Sequence, residues 1–142
     1  GDRTFDFNYD ALQTGRRTVS NMNADGVLQD RSAKLFRGTI DFQKGAAGSK
    51  GDEKEDVLLL GEDVVNRTIP LILCAEEDVE GNHGASIGQL DEDILFYMNS
   101  RGLSRAEAEL LITRSKLEAL CAKANDPGLT DRVHRYLEEN AQ

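Results

Sequence analysis

The stretch EEDVEGNHGASIG, residues 76–88, contains the side chains whose types could do chemistry. Four carboxylates, on Glu76, Glu77, Asp78 and Glu80, come shortly before His83, which stands among small residues. An imidazole titrates near neutral pH, so it can serve as a general acid or base, and its neutral form is a common metal ligand. The Gly-rich surroundings also allow a simpler interpretation, in which His83 is only a residue of a turn.

The acidity is concentrated in the middle of the chain. Residues 51–100 hold half of the 26 Asp and Glu side chains but only two of the 17 Lys and Arg side chains, and the formal net charge is −9. Runs of like charge usually form solvated faces, so we interpret the acidic run as an exposed turn face rather than as an acidic metal site. Nucleic-acid binding needs a cationic surface, so no nucleic-acid partner is expected.

Cysteine usage and hydropathy indicate the compartment. Cys74 and Cys121 are far apart and form no C-x-x-C motif, which argues against a disulfide framework or a structural zinc site. Both follow apolar residues, so both are predicted to be buried core residues. The sequence has no apolar run long enough to cross a membrane and no recognisable signal peptide. We therefore predict a cytoplasmic protein without a membrane partner.

The elements that position these residues change character near residue 103. Before it, short apolar bursts alternate with Gly, Asp and Asn, which predicts short strands between turns. The stretch FRGTIDF, residues 36–42, alternates and predicts one face made of every second residue. VLLL at 57–60 and LILC at 71–74 are continuous apolar runs, typical of strands covered on both faces. The polar segment AAGSKGDEKED at 46–56 is expected to be a loop.

A weak rhythm runs through this part of the chain. Val57, Leu71 and Ala85 follow one another at equal spacing, as successive coils of a parallel β-helix would. An antiparallel sandwich fits the lengths of the bursts nearly as well. Both architectures therefore stay open at this point.

From Leu103 onward the pattern is helical. Ser104 followed by Glu107 is a capping box, and an amphipathic helix is predicted to run from there to the NDPG segment at 125–128. Thr130 is then expected to cap a second helix, whose stripe includes Val133, Tyr136 and Leu137. Such a pair either packs on its own domain or receives a partner.

Residues 81–109, GNHGASIGQLDEDILFYMNSRGLSRAEAE, resemble the SufB/SufD family of SUF iron–sulfur cluster assembly scaffold proteins. The shared motifs are a His83-Gly84-Ala85 turn, an acidic spacer, Phe96-Tyr97 and the stretch 100–103, and FRGTIDF matches an upstream strand motif of the family. The resemblance implies a mainly β fold. A right-handed parallel β-helix, whose C-terminal coils would form residues 1–102, would be followed by a small α-helical domain at 103–142. The chain would be the C-terminal portion of such a protein.

The sequence is closest to the SufD type. B-type members carry a cysteine thought to receive sulfur just before the LLLG strand, where this chain has Glu55, and they flank the histidine with glutamates, where this chain has Asn82 and Gly84. In the D-type branch the histidine is implicated in holding the nascent cluster. D-type members can also carry a cysteine two residues before it, where this chain has Gly81.

The resemblance implies a scaffold and not an enzyme. His83 would be the metal and cofactor ligand of a nascent iron–sulfur cluster that is bound transiently, with further ligands from a partner and no cofactor tightly bound to the isolated fragment. The implied partners are a SufB-type paralogue or a second copy, contacted through the β-helix, and a SufC-type ATPase, contacted through residues 104–140.

Two interpretations from other classes remain open. The chain could be a non-catalytic structural β-helix interaction module. It could also be a polysaccharide-cleaving β-helix enzyme, with Glu77, Asp78, Glu80 and His83 as an acid/base set. The enzyme is less favoured, because the chain has no Trp and only three Tyr to form a sugar platform.

Overall fold

The computed structural model of the chain describes residues 1–124, 126 and 128–140, with only the backbone at Asn140. Asn125 and Pro127, in the NDPG segment where the first helix was predicted to end, lie outside the described residues, as do 141 and 142. The chain forms two compact units, Gly1–Gly88 and Gln89–Gln142, and each is described by itself.

The first unit consists of six strands in two three-stranded sheets. The strands are β1 (Thr4–Gln13), β2 (Val19–Gln29), β3 (Ala33–Phe42), β4 (Ser49–Leu60), β5 (Val65–Cys74) and β6 (Val79–Gln89). The sheet orders are β1-β3-β5 and β2-β4-β6, so consecutive strands belong to different sheets. The chain therefore passes back and forth between two growing sheets.

The pairing is parallel, which decides between the two architectures left open by the sequence. Thr4 pairs with Ala33, Val19 with Lys50, and Ala33 with Val65, so paired strands are offset by 29, 31 and 32 residues. An antiparallel sandwich is thereby excluded for these strands, and the arrangement fits a β-helix-like fold. The rhythm noted in the sequence corresponds to the step from one sheet to the other, which is about half of a full coil.

Strand β3 shows how the interior is built. Its burial alternates as predicted, and Phe36, Gly38, Ile40 and Phe42 are all buried. Ile40 and Phe42 have no exposed surface at all. Because side chains of a strand point alternately to opposite faces, this inner face is the one that packs between the two sheets.

Two predictions about the strands are wrong. The predicted loop at 46–56 mostly belongs to β4, in which Gly51, Glu53 and Glu55 are buried and their neighbours are more exposed. The segment at 71–74 is not covered on both faces, since Leu71 and Leu73 are exposed. In both cases the strand has one inner face only, and neither charge nor continuous hydrophobicity reveals which residues point inward.

The cysteine prediction is half right. Cys121 is buried in α2, as expected. Cys74 is exposed, contrary to the prediction. It is the last residue of β5 and pairs with Phe42, and β5 is the last strand of its sheet, so no further strand covers it on that side.

The second unit contains three helices, α1 (Glu92–Ser100), α2 (Arg105–Cys121) and α3 (Leu129–Asn140). The capping box is confirmed, because Ser104 Oγ accepts from the Glu107 N–H and the Glu107 carboxylate accepts from the Ser104 N–H at 2.7 Å. That backbone hydrogen bond, with the Ser104 hydroxyl second, holds the pKa of the Glu107 carboxyl below its usual value.

Two helical features differ from the sequence analysis. Helix α1, with Asp91 as its N-cap, lies within residues 1–102, for which the sequence predicts only β-helix coils. Thr130 lies inside α3 rather than capping it, because the helix begins at Leu129. Among the described residues no helix is long and apolar enough to cross a membrane.

Candidate functional site

His83 lies in a strand and not in a turn. It belongs to β6, the last strand of the sheet β2-β4-β6, and its side chain is exposed. The neighbouring glycines suggested a turn, but Gly81 has a packing role. A Cβ at Gly81 would come within 2.7 Å of Ile72 Cγ2, so the inner face of β6 is already filled there.

Contacts at the start of β4 and β6 indicate which residue lies beside His83. The Gly48 N–H donates to the Asp78 carbonyl at 2.6 Å, and Lys50 Nζ donates to Glu80 Oε2 at 2.6 Å. Both contacts join residues 30 positions apart. From the same offset continued along the two strands, we infer that Glu53 lies beside His83.

Glu53 and His83 both lie on the inner face of the sheet β2-β4-β6. Cβ atoms built on Gly51 and Gly81 would both meet Phe42, so positions 51 and 81 point between the sheets. Glu53 and His83 follow them by two residues and therefore share that face. Glu53 lies in the interior, whereas His83 stands at the solvent-accessible edge.

Glu53 is a buried carboxylate with an unsatisfied oxygen. Only 2% of the residue is exposed, and its Oε2 has no hydrogen-bond partner among the described residues. Burial raises the pKa of the Glu53 carboxyl above its usual value; the adjacent His83 opposes this rise and Glu55 adds to it. The carboxylate reaches across to the other sheet, where a Cβ on Gly38 would lie 2.5 Å from Oε2. Gly38 thus leaves room for it.

Glu55, two residues further along β4, is satisfied. One of its carboxylate oxygens pairs with Lys34 Nζ, and the other accepts a hydrogen bond from the Thr68 hydroxyl. Lys34 is itself largely buried. At the position where B-type sequences carry a cysteine, this chain therefore has a structural carboxylate that joins β4 to β3 and β5.

The acidic run before His83 does not surround it. Glu80 alternates with Gly81 along β6 and pairs with the exposed Lys50 on the outer face. Glu76 accepts from the Gly45 N–H at 3.0 Å, which holds the pKa of its carboxyl below the usual value. Glu77, Asp78 and Glu80 are exposed, as predicted for a solvated acidic segment.

The side chains near His83 provide only some of the ligands that a metal ion needs. Within the part of the chain that the structure describes, no three His, Cys, Asp or Glu side chains come together as a complete site. The acid/base set proposed for a polysaccharide-cleaving enzyme is not assembled either, since Glu80 and His83 lie on opposite faces of β6. What remains is a pair, a buried carboxylate next to an exposed imidazole.

Sequence reasoning missed Glu53, although a signal for it was present. Gly51, Glu53, Glu55 and Val57 recur at every second position and lead directly into an apolar strand. Period-two alternation is the strand signature, but it is normally sought in hydrophobic residues, and here its inner positions are charged. The polar composition therefore pointed to a loop.

Comparison with known proteins identifies the class to which this arrangement belongs. Residues 1–116 match the family model described as SUF system FeS cluster assembly, SufBD core domain. This is a class of iron–sulfur cluster assembly proteins. The chain belongs to the SufBD family, and within it the chain is SufD-like.

Individual relatives support this assignment. The chain is 30% identical over 112 residues to the iron–sulfur cluster assembly protein SufD of Bacillus subtilis, covering 79% of this chain and 26% of that protein. It is 28% identical to SufD of Escherichia coli over 75% of this chain and 25% of that protein. A SufBD family protein of Mycobacterium tuberculosis is 34% identical over 77% of this chain and 13% of its own length. The chain thus spans about a quarter of the length of its SufD relatives.

Proposed function

We propose that this chain is part of a scaffold for iron–sulfur cluster assembly, in which His83 supplies an imidazole ligand to the nascent cluster at an interface with a SufB-type partner. The observation that carries the proposal is the position of His83. It is exposed on the last strand of its sheet, where a partner can reach it, and it stands beside a buried carboxylate. Imidazole is a suitable ligand for iron.

The partner is proposed to supply the remaining cluster ligands through an interface at the ends of the two sheets. The strands β5 and β6 each end a sheet, and an unpaired edge is a surface to which another chain can add. We propose that the two sheets are C-terminal coils of a right-handed β-helix that meets a SufB-type paralogue or a second copy there. The free thiols of Cys74 and Cys121 fit a cytoplasmic setting.

Replacing His83 by Ala tests the cluster role. In the complex of the complete protein with its SufB-type partner and ATPase, iron and sulfide content should fall by about tenfold or more, because even groups that only support a ligand contribute 10- to 100-fold to metal affinity. The free energy of unfolding should change by less than about 0.5 kcal/mol, since the side chain is exposed. Iron and sulfide assays with thermal unfolding measure both.

Asn82→Ala is the matched control, because Asn82 is the strand neighbour of His83 on the opposite face and is also exposed. It should leave the cluster content unchanged. Equal cluster content in the wild-type and His83→Ala complexes would remove His83 from the site. A large loss of stability with unchanged cluster content would instead support the structural interaction module.

The helices of the second unit are the proposed contact for a SufC-type ATPase, within residues 104–140. Leu110 and Leu111 of α2 and Tyr136 of α3 expose 40%, 49% and 49% of their surfaces. Large exposed apolar patches mark interaction sites, and we take these three side chains as part of such a patch.

Leu111→Asp should therefore reduce co-purification of the ATPase with the complete protein by about tenfold, since burying an unpaired charge at an interface costs more than 1.4 kcal/mol. Ala119→Asp is the control, because it adds the same charge to an exposed position of α2 that lies opposite Leu110 and two turns from Leu111. Equal recovery of the ATPase with both variants would exclude the apolar face of α2 as the contact.

A further inference from the structure

We propose that Glu53 is a second ligand beside His83, and that the two side chains together hold a divalent cation of the ferrous-iron type before sulfide is incorporated. This inference rests on the proposed function, because it takes His83 as an iron ligand. It adds to that function a binding step for the metal alone.

The charge balance of the interior is the first argument. Three charged side chains lie close together between the sheets, the two glutamates of β4 and Lys34 of β3. Lys34 is engaged by Glu55, so its charge is already matched. Among the described residues, Glu53 remains a buried carboxylate without an opposite charge in contact. A buried unpaired charge is strongly unfavourable, and it is relieved either by protonation or by a bound cation.

The position of the unsatisfied oxygen is the second argument. Glu53 Oε2 has no hydrogen-bond partner among the described residues, so its lone pairs are available. The imidazole on the neighbouring strand does not satisfy it, although it is near enough to influence the carboxyl group electrostatically. The proposed cation lies between the two side chains and engages this oxygen.

The access route is the third argument. Glu53 is buried, but His83 is exposed and stands on the last strand of the sheet, so an ion can enter from that edge. Gly38, on β3 of the opposite sheet, is consistent with this position of the Glu53 carboxylate. Because a side chain at position 38 would collide with the Glu53 carboxylate, the glycine leaves room for that carboxylate between the sheets.

The donor chemistry defines the class of ion. One carboxylate oxygen and one imidazole nitrogen suit divalent iron, manganese and cobalt, whereas soft ions such as monovalent copper prefer thiolates and thioethers. Two ligands make a weak site, with the remaining positions left for water or for groups of the partner. Iron is here a cargo that is bound and passed on.

Binding of Co²⁺ alone to the complete protein tests the inference. Co²⁺ reports nitrogen and oxygen ligands through its visible absorption and needs no sulfide. The wild-type protein should bind one equivalent, and Glu53→Gln and His83→Ala should each weaken binding by about tenfold or more. Glu80→Gln removes an exposed carboxylate on the opposite face of the same strand and should bind Co²⁺ like the wild type.

A second variant provides an independent test if the Glu53→Gln protein does not fold. Glu53→Asp keeps the carboxylate but draws it back by one methylene group, so it too should weaken Co²⁺ binding. Circular dichroism of every variant confirms that the fold is retained. Unchanged Co²⁺ affinity in a folded Glu53→Gln or Glu53→Asp protein would overturn the inference, as would failure of the wild-type protein to bind Co²⁺.

The two proposals can fail separately. If His83→Ala loses the cluster while the Glu53 variants bind Co²⁺ normally, the cluster role of His83 stands and the ligand role of Glu53 falls. If the variants weaken Co²⁺ binding but the His83→Ala complex keeps its full cluster content, the metal site stands and the cluster role falls.

Discussion

Glu55→Gln is expected to lower the free energy of unfolding by about 3 kcal/mol, because it leaves the Lys34 ammonium buried without its counter-charge. The two side chains are 10% and 1% exposed, and the Thr68 hydroxyl occupies the second carboxylate oxygen. Removing one partner of such a pair does more harm than losing the pair itself. Chemical denaturation followed by circular dichroism measures the change.

The double variant Lys34→Met/Glu55→Leu separates the two effects. Replacing a buried ion pair by apolar residues of similar volume is often neutral or stabilising, so this variant should recover most of the stability lost in Glu55→Gln. Glu80→Gln breaks the exposed pair with Lys50 and should have little effect, since exposed pairs are screened by solvent. A double variant as unstable as Glu55→Gln would contradict this account, because it would assign the loss to packing rather than to the uncompensated lysine.

Much of the strand pattern could be predicted from the sequence wherever hydrophobicity alternates. The stretch around Ile40 specified both its secondary structure and its inner face, because a period-two pattern of apolar residues has only one way to be buried. Ser104 and Glu107 likewise specified the start of α2, since a capping box depends on four consecutive residues and not on distant contacts.

The candidate site could be predicted only in part, because its other half depends on pairing between distant strands. His83 is recognisable by its type, but the glycines on either side of it favour a turn, and its carboxylate neighbour is 30 residues earlier. The carboxylates that precede His83 in sequence do not gather around it, since Glu80 points to the opposite face of β6 and pairs with Lys50. The rhythm of the apolar bursts reported the step between the sheets, whereas contacts are made one full coil apart.

The inner packing at Gly81 explains why this chain differs from D-type sequences that carry a cysteine there. A Cβ at position 81 would lie 2.7 Å from Ile72 Cγ2 and 3.2 Å from Phe42 Cε2. The first of these distances requires Ile72 to shift, and Phe42 is fully buried and has little freedom to move. A thiol at this position therefore depends on a smaller residue at position 72.

Gly81→Cys should accordingly destabilise the protein by about 1–3 kcal/mol, the usual effect of overpacking a filled interior. Gly84→Cys makes the same chemical change on the same strand, where a Cβ meets nothing within 4 Å, so it should be tolerated. Adding Ile72→Ala to Gly81→Cys should cost less than the sum of the two single changes, because the alanine vacates the space that the new side chain needs. Equal unfolding free energies for the Gly81→Cys and Gly84→Cys proteins would show that Ile72 yields freely. The position would then be open to a thiol without any change at Ile72.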